Sequence, residues 1–410
     1  MTECKQEKLK FQGICGLRVE GRFDGGQLSS DGGLLLIREV VDGERFFLRL
    51  SRCFSDQRNA QAVTHSVESM LKQRIYGLLG GYEDLNDHDT LRKDPVAQIL
   101  SGKVAGEGAE LASHSTLNRI ELSKNTIEER ERYKKIACND RKLEEFFIQE
   151  FIRYAKRKRM KQLILDVDAT DIPLHGKQEG RFYHGYYGHY CYLPLYIFCE
   201  DFPLWAELRP SNIDASLGTE AALGNLVPRL RKALPGIKII LRADSGFARE
   251  SIMRFCEENS IDFILGLARN SRLQAEISQA MAEARQQYET TKTSARVYKD
   301  FNYETLNSWS KTRRVIGKAE YLEKGENPRF VVTSLKGSPD ELYEVWYCKR
   351  EDAENRIKEQ FQLFANRTSS SVKRANQLRL WFSTLAYLLI ALFKKYCLSN
   401  TFNLPSDSLN

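Results

Sequence analysis

Two apolar runs in this chain end in carboxylates. In Leu163-Ile164-Leu165-Asp166-Val167-Asp168-Ala169-Thr170 the run reads as a strand, and its period of two sends Asp166 and Asp168 to one face. In Ile239-Ile240-Leu241-Arg242-Ala243-Asp244-Ser245-Gly246 a second strand runs straight into Asp244, with Ser-Gly opening a helix. A carboxylate buried in a central strand is costly unless it is paired or bound to a cation. A third acid, Glu354, shares a helical stripe with Ile357, Phe361 and Phe364, which predicts a carboxylate turned toward the core. Tyr347 and Arg350 fall on the same face, placed to orient that carboxylate or to bind a phosphate. Each feature also has a plainer reading: turn caps for Asp166 and Asp168, a helix N-cap for Asp244, and a solvated Arg350, Glu354 and Lys358 ladder. As a set, three carboxylates from two strand ends and one helix suit phosphoryl transfer with two Mg2+ or Mn2+ ions. Hard oxygen ligands hold such ions, one activating a hydroxyl and the other stabilising the leaving oxygen.

The elements that must position these acids emerge from a change of texture near residue 160. Before it, the spacing of Val63, Val67, Met70, Leu71, Ile75 and Leu78 predicts a helix over 62–79, and the apolar run 34–37 opens another. Thr126 with Glu129 three residues later forms a capping-box pattern, predicting a long helix through Leu143, Phe147 and Tyr154. After 160, short strands are expected at 163–168, 185–192, 195–200 and 204–209. A helix at 219–234, a strand at 237–243, a helix at 248–259 and a strand at 263–268 follow. Adjacent strands and then strand–helix alternation predict an α/β fold, a mixed sheet with helices on its faces. Residues 270–346 interrupt it with one helix and several β-like runs, and beyond 346 the chain reads as helical to about 398. The expected division is a mainly helical region 1–160, an α/β core formed by 161–269 with 347–400, and a β-rich insertion 270–346.

Length and composition agree with two or three globular domains: 410 residues, 42% hydrophobic and 29% charged, which excludes wholesale disorder. Nine cysteines at irregular spacing, with no C-x2-C pair, fit neither a disulfide framework nor a zinc finger. No signal peptide is read at the N-terminus, and the apolar stretch 378–393 is too short and too polar for a membrane span, so a reducing cytoplasm is expected. The net charge of +7 is concentrated. Residues 153–161 hold six basic residues and no acid, and 356–395 hold eight basic residues against Glu359 alone. That predicts a phosphate-backbone footprint, with a solvated helix face as the plainer alternative. His175, His184 and His189 lack the helical spacing of a zinc site, and the aromatic run 182–190 suits either cross-strand packing or base stacking.

These motifs resemble those of DDE insertion-sequence transposases, close to the thirteen-eighty group of insertion sequences. The resemblance rests on the Gly25-Gly26 to Gly33 region, Ser113-His114-Ser115-Thr116-Leu117, the Asp-x-Asp-x-Thr strand, His175-Gly176-Lys177-Gln178-Glu179-Gly180, Arg242-Ala243-Asp244-Ser245-Gly246-Phe247, and Tyr347-x2-Arg350-x3-Glu354. It implies an RNase H-like core with Asp168, Asp244 and Glu354 as the catalytic, metal-binding acids. Asp168 is preferred to Asp166 because Asp168-Ala169-Thr170 matches the family's D-x-T. Tyr347, Arg350 and Lys358 are the implied DNA contacts; the family's later Lys position is Phe361 here, so that contact is missing or falls to Lys358. The implied activity is metal-dependent cleavage at terminal inverted repeats and transfer of the 3′-hydroxyl into target DNA, cut-and-paste, by a homodimer in the DNA complex. The location implied is cytoplasmic and nucleoid-associated, with no membrane, and the helical N-terminal region shares in end recognition. An RNase H-like metallonuclease without strand transfer, or a DNA-binding protein of this fold without chemistry, are the alternatives.

Overall fold

Leu163, Leu165 and Val167 are buried along one side of the strand Gln162–Ala169, and Asp166 and Asp168 are buried along the other. The computed structural model that contains this strand describes residues 9–14, 17–21, 29–105, 110–127 and 134–398. Gly25-Gly26 and Glu129 lie outside the described residues, as does the chain beyond 398.

The main sheet is built, in chain order, from β1 (Gln162–Ala169), β2 (Leu195–Cys199), β3 (Phe202–Glu207), β4 (Lys238–Ala243), β5 (Asp262–Leu267), β6 (Ala295–Tyr303), β7 (Arg313–Leu322) and β8 (Arg329–Thr333). Its order is β3-β2-β1-β4-β5-β8-β7-β6, with Gly325–Glu326 folded onto β7 as a ninth strand. β1, β4 and β5 are parallel neighbours, and every other pair is antiparallel. Parallel strands are covered on both faces, which explains the nearly unbroken apolar text of β4. This is a mixed sheet flanked by helices. The segment expected as a separate insertion continues the sheet: β8 pairs with β5, so the added strands extend the platform that carries the acids.

The helices that matter to the site are α1 (Val67–Leu79), α2 (Asp140–Lys158), α3 (Thr219–Ala233), α4 (Glu250–Glu258), α5 (Ser278–Thr291), α6 (Glu351–Gln362) and α7 (Lys373–Phe393). Several elements differ from expectation, beginning with α1, which starts at Val67 rather than 62, capped by Ser66 accepting from the Ser69 N–H. The helix expected to open near Thr126 begins at Asp140, where the Asn139 side chain accepts from the Lys142 N–H at 3.0 Å, and Ile136–Cys138 before it pairs instead with Phe54–Asp56. The stretch after 346 is not one helix. A wide turn over Leu342–Tyr347 and a tight one over Cys348–Arg350 lead into α6, which stops at Gln362. Phe364 then takes a left-handed backbone (φ 66°), and the polar run Asn366-Arg367-Thr368-Ser369-Ser370-Ser371 favours local side-chain bonds over helix, as in Asn376 to Ser370. The strand expected over 185–192 divides into Phe182–His184 and His189–Tyr192, which form a hairpin outside the main sheet.

α7 is long and apolar enough to cross a bilayer by composition, yet most of it is buried inside the protein, against α1 and β3. One contiguous apolar cluster runs from Val41 to Leu392, joining the helical N-terminal part to the sheet. A smaller cluster of Ile264, Ile316, Val331, Leu342 and Tyr343 lies beneath the turn that carries Tyr347.

Candidate active site

The register of β1 against β4 ends on Val167 beside Ala243. The next residue of each strand is an acid, so Asp168 and Asp244 leave the carboxyl ends of neighbouring parallel strands side by side, where α/β sheets build their sites. Asp168 accepts from the Ala169 N–H at 2.8 Å and has no ion pair among the described residues. Burial, and then the charges of Asp244 and Glu354, push its carboxyl up to about 7; the Ala169 bond and Arg350 act in the opposite direction. Asp244 accepts from the Gly246 N–H at 2.8 Å and caps the single turn Ser245–Phe247, so the N-cap reading holds for one of its oxygens.

Glu354 sits in the first turn of α6, but not as expected. The buried stripe of α6 is Ala353, Arg356, Ile357 and Gln360, and Glu354 lies half-exposed at its border. Arg350, one turn earlier, binds its carboxylate at 2.9 Å, so half of the predicted charge ladder forms. Lys358, the other half, is exposed and makes no ion pair among the described residues. Burial raises the Tyr347 phenol, and Asp244 adds to the effect while Arg350 opposes it. Tyr347 reaches this position across Gly266 of β5, where any Cβ would strike both its hydroxyl and the Ser245 nitrogen. Tyr347, Arg350, Glu354, Asp168 and Asp244 thus feel one another's charge, while Lys358 stands apart on the outer face of α6. Among the described residues no three His, Cys, Asp or Glu side chains converge closely enough to grip a metal ion. His189 is bound to Asp171 at 2.7 Å, and Trp309 packs edge-on to Tyr303.

A second buried carboxylate lies behind the first. Asp166 accepts from Arg242 Nε at 2.5 Å and Nη2 at 2.9 Å, and from Arg356 Nη1 at 3.1 Å. Arg242 also donates to the Trp346 carbonyl at 2.7 Å, just before Tyr347. This clasp ties β1, β4, α6 and the turn before it into one piece. The sequence reading missed Arg356 as a structural residue; its signal was its place with Ile357 and Gln360 on the buried stripe of α6.

A cleft of about 690 Å3 opens beside Tyr347 and Arg350, lined also by Ser245 and Glu351, by Arg269 just past the end of β5, and by Lys318 and Arg329 from the added strands. These three cations were not singled out in the sequence, because they lie far apart in it. The basic run that was singled out behaves differently. Of its eight cations, Arg356, Arg367, Arg374, Arg379, Lys394 and Lys395 are ion-paired with acids of the same chain. The run over 356–395 therefore stitches α6 and α7 to the rest of the molecule and is not an open phosphate footprint. In the earlier run, Lys156, Lys158, Arg159 and Lys161 are exposed, at the C-terminal end of α2 and the start of β1, opposite the acids.

Residues 11–404 match the family model described as Transposase DDE domain group 1. No curated protein matches the chain.

Proposed function

Since the chain belongs to the Transposase DDE domain group 1 family, we propose that it is a DNA transposase of the insertion-sequence kind, near the thirteen-eighty group, that cuts at terminal inverted repeats and joins the 3′-hydroxyl to target DNA. The observation that carries this reading is the pairing of Asp168 and Asp244 at adjacent strand ends, with the Asp168 carboxyl pushed up to about 7 by burial and by the charges of Asp244 and Glu354, which the Ala169 bond and Arg350 only partly offset. The order β3-β2-β1-β4-β5, with α6 on β1, supports an RNase H-like core.

The donor set suits Mg2+ or Mn2+: Asp168, Asp244 and Glu354 present oxygen alone, and the uncompensated charge at Asp168 is what a hard cation relieves. Bound there, two such ions would supply Lewis-acid activation of water or a 3′-hydroxyl and stabilisation of the leaving oxygen. Arg350 holds Glu354 by a charge-assisted bond and is near enough to Asp168 to lower the cost of its ionisation. Tyr347 fills the gap over Gly266 and limits water beside Asp244. Arg269 and Arg329 line the adjoining cleft where a phosphate backbone passes, and Lys358 meets the backbone from the outer face of α6. The helical N-terminal region shares in end recognition, and the active complex on DNA is a homodimer in the cytoplasm.

The test uses duplexes carrying the DNA that flanks the reading frame. Mg2+-dependent cleavage at their ends, lost in Asp244→Ala while binding persists, is expected. Transfer of the cut end into a plasmid separates a transposase from a nuclease. Cleavage indifferent to divalent metal would sink the metal-dependent reading.

A further inference from the structure

Among the described residues, every exposed Phe, Tyr or Trp side chain lies on one small hairpin: Phe182 (42% exposed), Tyr183 (59%), Tyr186 (87%) and Tyr190 (44%). Isolated exposed apolar residues need no explanation; four exposed rings within nine residues do, with Phe182 beside Cys191 on one face of the hairpin and Tyr183 beside Tyr190 on the other. The hairpin, built from Phe182–His184 and His189–Tyr192, is anchored through Ile172–Pro173 to the chain that leaves β1 directly after Asp168. Its turn closes by a bond from the Gly188 N–H to the His184 carbonyl at 2.8 Å, with Gly188 at φ 73°, and this conformation holds Tyr186 out at the tip. Tyr183 and Tyr190 meet edge-on across the strands at 5.7 Å, and the Arg181 guanidinium lies over the Tyr190 ring at 4.6 Å. Cross-strand packing accounts for the Tyr183 and Tyr190 pair. It does not account for Tyr186, which meets Tyr187 at 5.0 Å in a T-shaped pair and is otherwise 87% exposed. His189, at the start of the returning strand, is bound to Asp171 at 2.7 Å, three residues past Asp168, which ties the hairpin to the chain leaving β1.

We propose that this hairpin is a stacking platform for unpaired DNA bases next to the scissile phosphate, with Tyr186 and Tyr183 as its principal rings and Arg181 meeting the adjoining phosphate. The inference rests on the transposase reading above: the phosphodiester lies at Asp168 and Asp244, so the nucleotides flanking it reach the structure that grows from the Asp168 strand. Arg181, which lies over Tyr190 and donates from one nitrogen to the Gly176 carbonyl, keeps its other N–H groups for a phosphate, and an exposed tyrosine beside such a cation fits a base and its phosphate better than an apolar protein surface; stacking on tyrosine is tolerant of sequence.

The experiment compares binding of two flanking-DNA duplexes, one fully paired and one with the nucleotides at the cleavage end left unpaired. The wild type binds the unpaired end at least about tenfold more tightly, the low end of what one stacked base contributes. Tyr183→Ala with Tyr186→Ala abolishes that preference while leaving affinity for the paired duplex, and Tyr186→Phe retains it because the ring remains. An unchanged preference in the double variant, in a wild type that cuts its ends, overturns the hairpin proposal alone. Loss of self-association in the double variant, with the preference intact, also overturns it and makes the patch a contact between copies. A wild type that neither recognises nor cuts the ends overturns the transposase reading and this proposal with it.

Discussion

Asp166 and Asp168 stand two residues apart on one strand and one face, at 1% and 8% exposure, in opposite electrical surroundings. Asp166 is enclosed by two arginines that satisfy both of its oxygens. Asp168 is enclosed by burial and by two other acids, with one backbone bond and the more distant charge of Arg350 in its favour. A buried ion pair that is complete holds elements in place and has little left to offer a ligand. A buried acid among like charges is poised for one, because its own protein does not satisfy it. The contrast is the physical ground for proposing Asp168, not Asp166, as the acid that takes part in the chemistry.

The largest expected effect tests this division directly. Asp168→Ala and Asp244→Ala should each lower end cleavage by about 10^3-fold or more with DNA binding retained, as measured by product per enzyme and by gel shift. If either variant cut at the wild-type rate, Asp168 and Asp244 would lose their claim to the chemistry. Next comes stability against pH. The Asp168 carboxyl titrates near 3.8 when unfolded and at about 7 when folded, so the folded form holds the proton more tightly. Its contribution is fully present below pH 3.8 and is lost as pH rises through about 7, a swing on the order of 4 kcal/mol at 1.36 kcal/mol per unit. Asp168→Asn should remove that slope in denaturant titrations from pH 4 to 8, and Mg2+ should raise the melting temperature of the wild type but not of Asp168→Asn. A slope unchanged by the substitution would refute the assignment of uncompensated charge. Of similar size and opposite sign, Asp166→Ala strands Arg242 and Arg356 and should cost about 3–5 kcal/mol of stability; a neutral result would erase the contrast. Smallest is Lys358→Ala, which should leave stability within about 0.5 kcal/mol and reduce the salt slope of DNA binding by about 1.

The strand-end acids were legible because strand text is local: apolar alternation followed by Asp marks both the element and its edge. Arg242 was visible as part of the Arg-Ala-Asp motif, but its partner was not, since register between β1 and β4 is a property of the sheet. Glu354 shows the limit of helical spacing. The stripe through Phe361 and Phe364 assumed a helix that continues, whereas α6 stops at Gln362 and its buried side is centred on Ala353 and Arg356. The charge count misled for a related reason. Eight cations look like a surface until their acids, Glu83, Asp140, Glu121, Glu200 and others, arrive from distant segments. Conversely, Arg269 and Arg329 come to line one cleft only once the added strands have joined β5, with Lys318 there already paired to Glu320.

The clasp around Asp166 also sets a timetable. Its donors lie 76 and 190 residues further along the chain, so a ribosome releases Asp166 long before it releases Arg356. Until then β1 and β4 can pair around a single arginine, but α6 has nothing to dock and Glu354 does not exist. Contacts of such long range form slowly and late, after nearly the whole polypeptide is available. The proposed centre therefore assembles late in synthesis, and a chain cut short just before residue 354 holds every strand of the sheet and two of the acids but not the third.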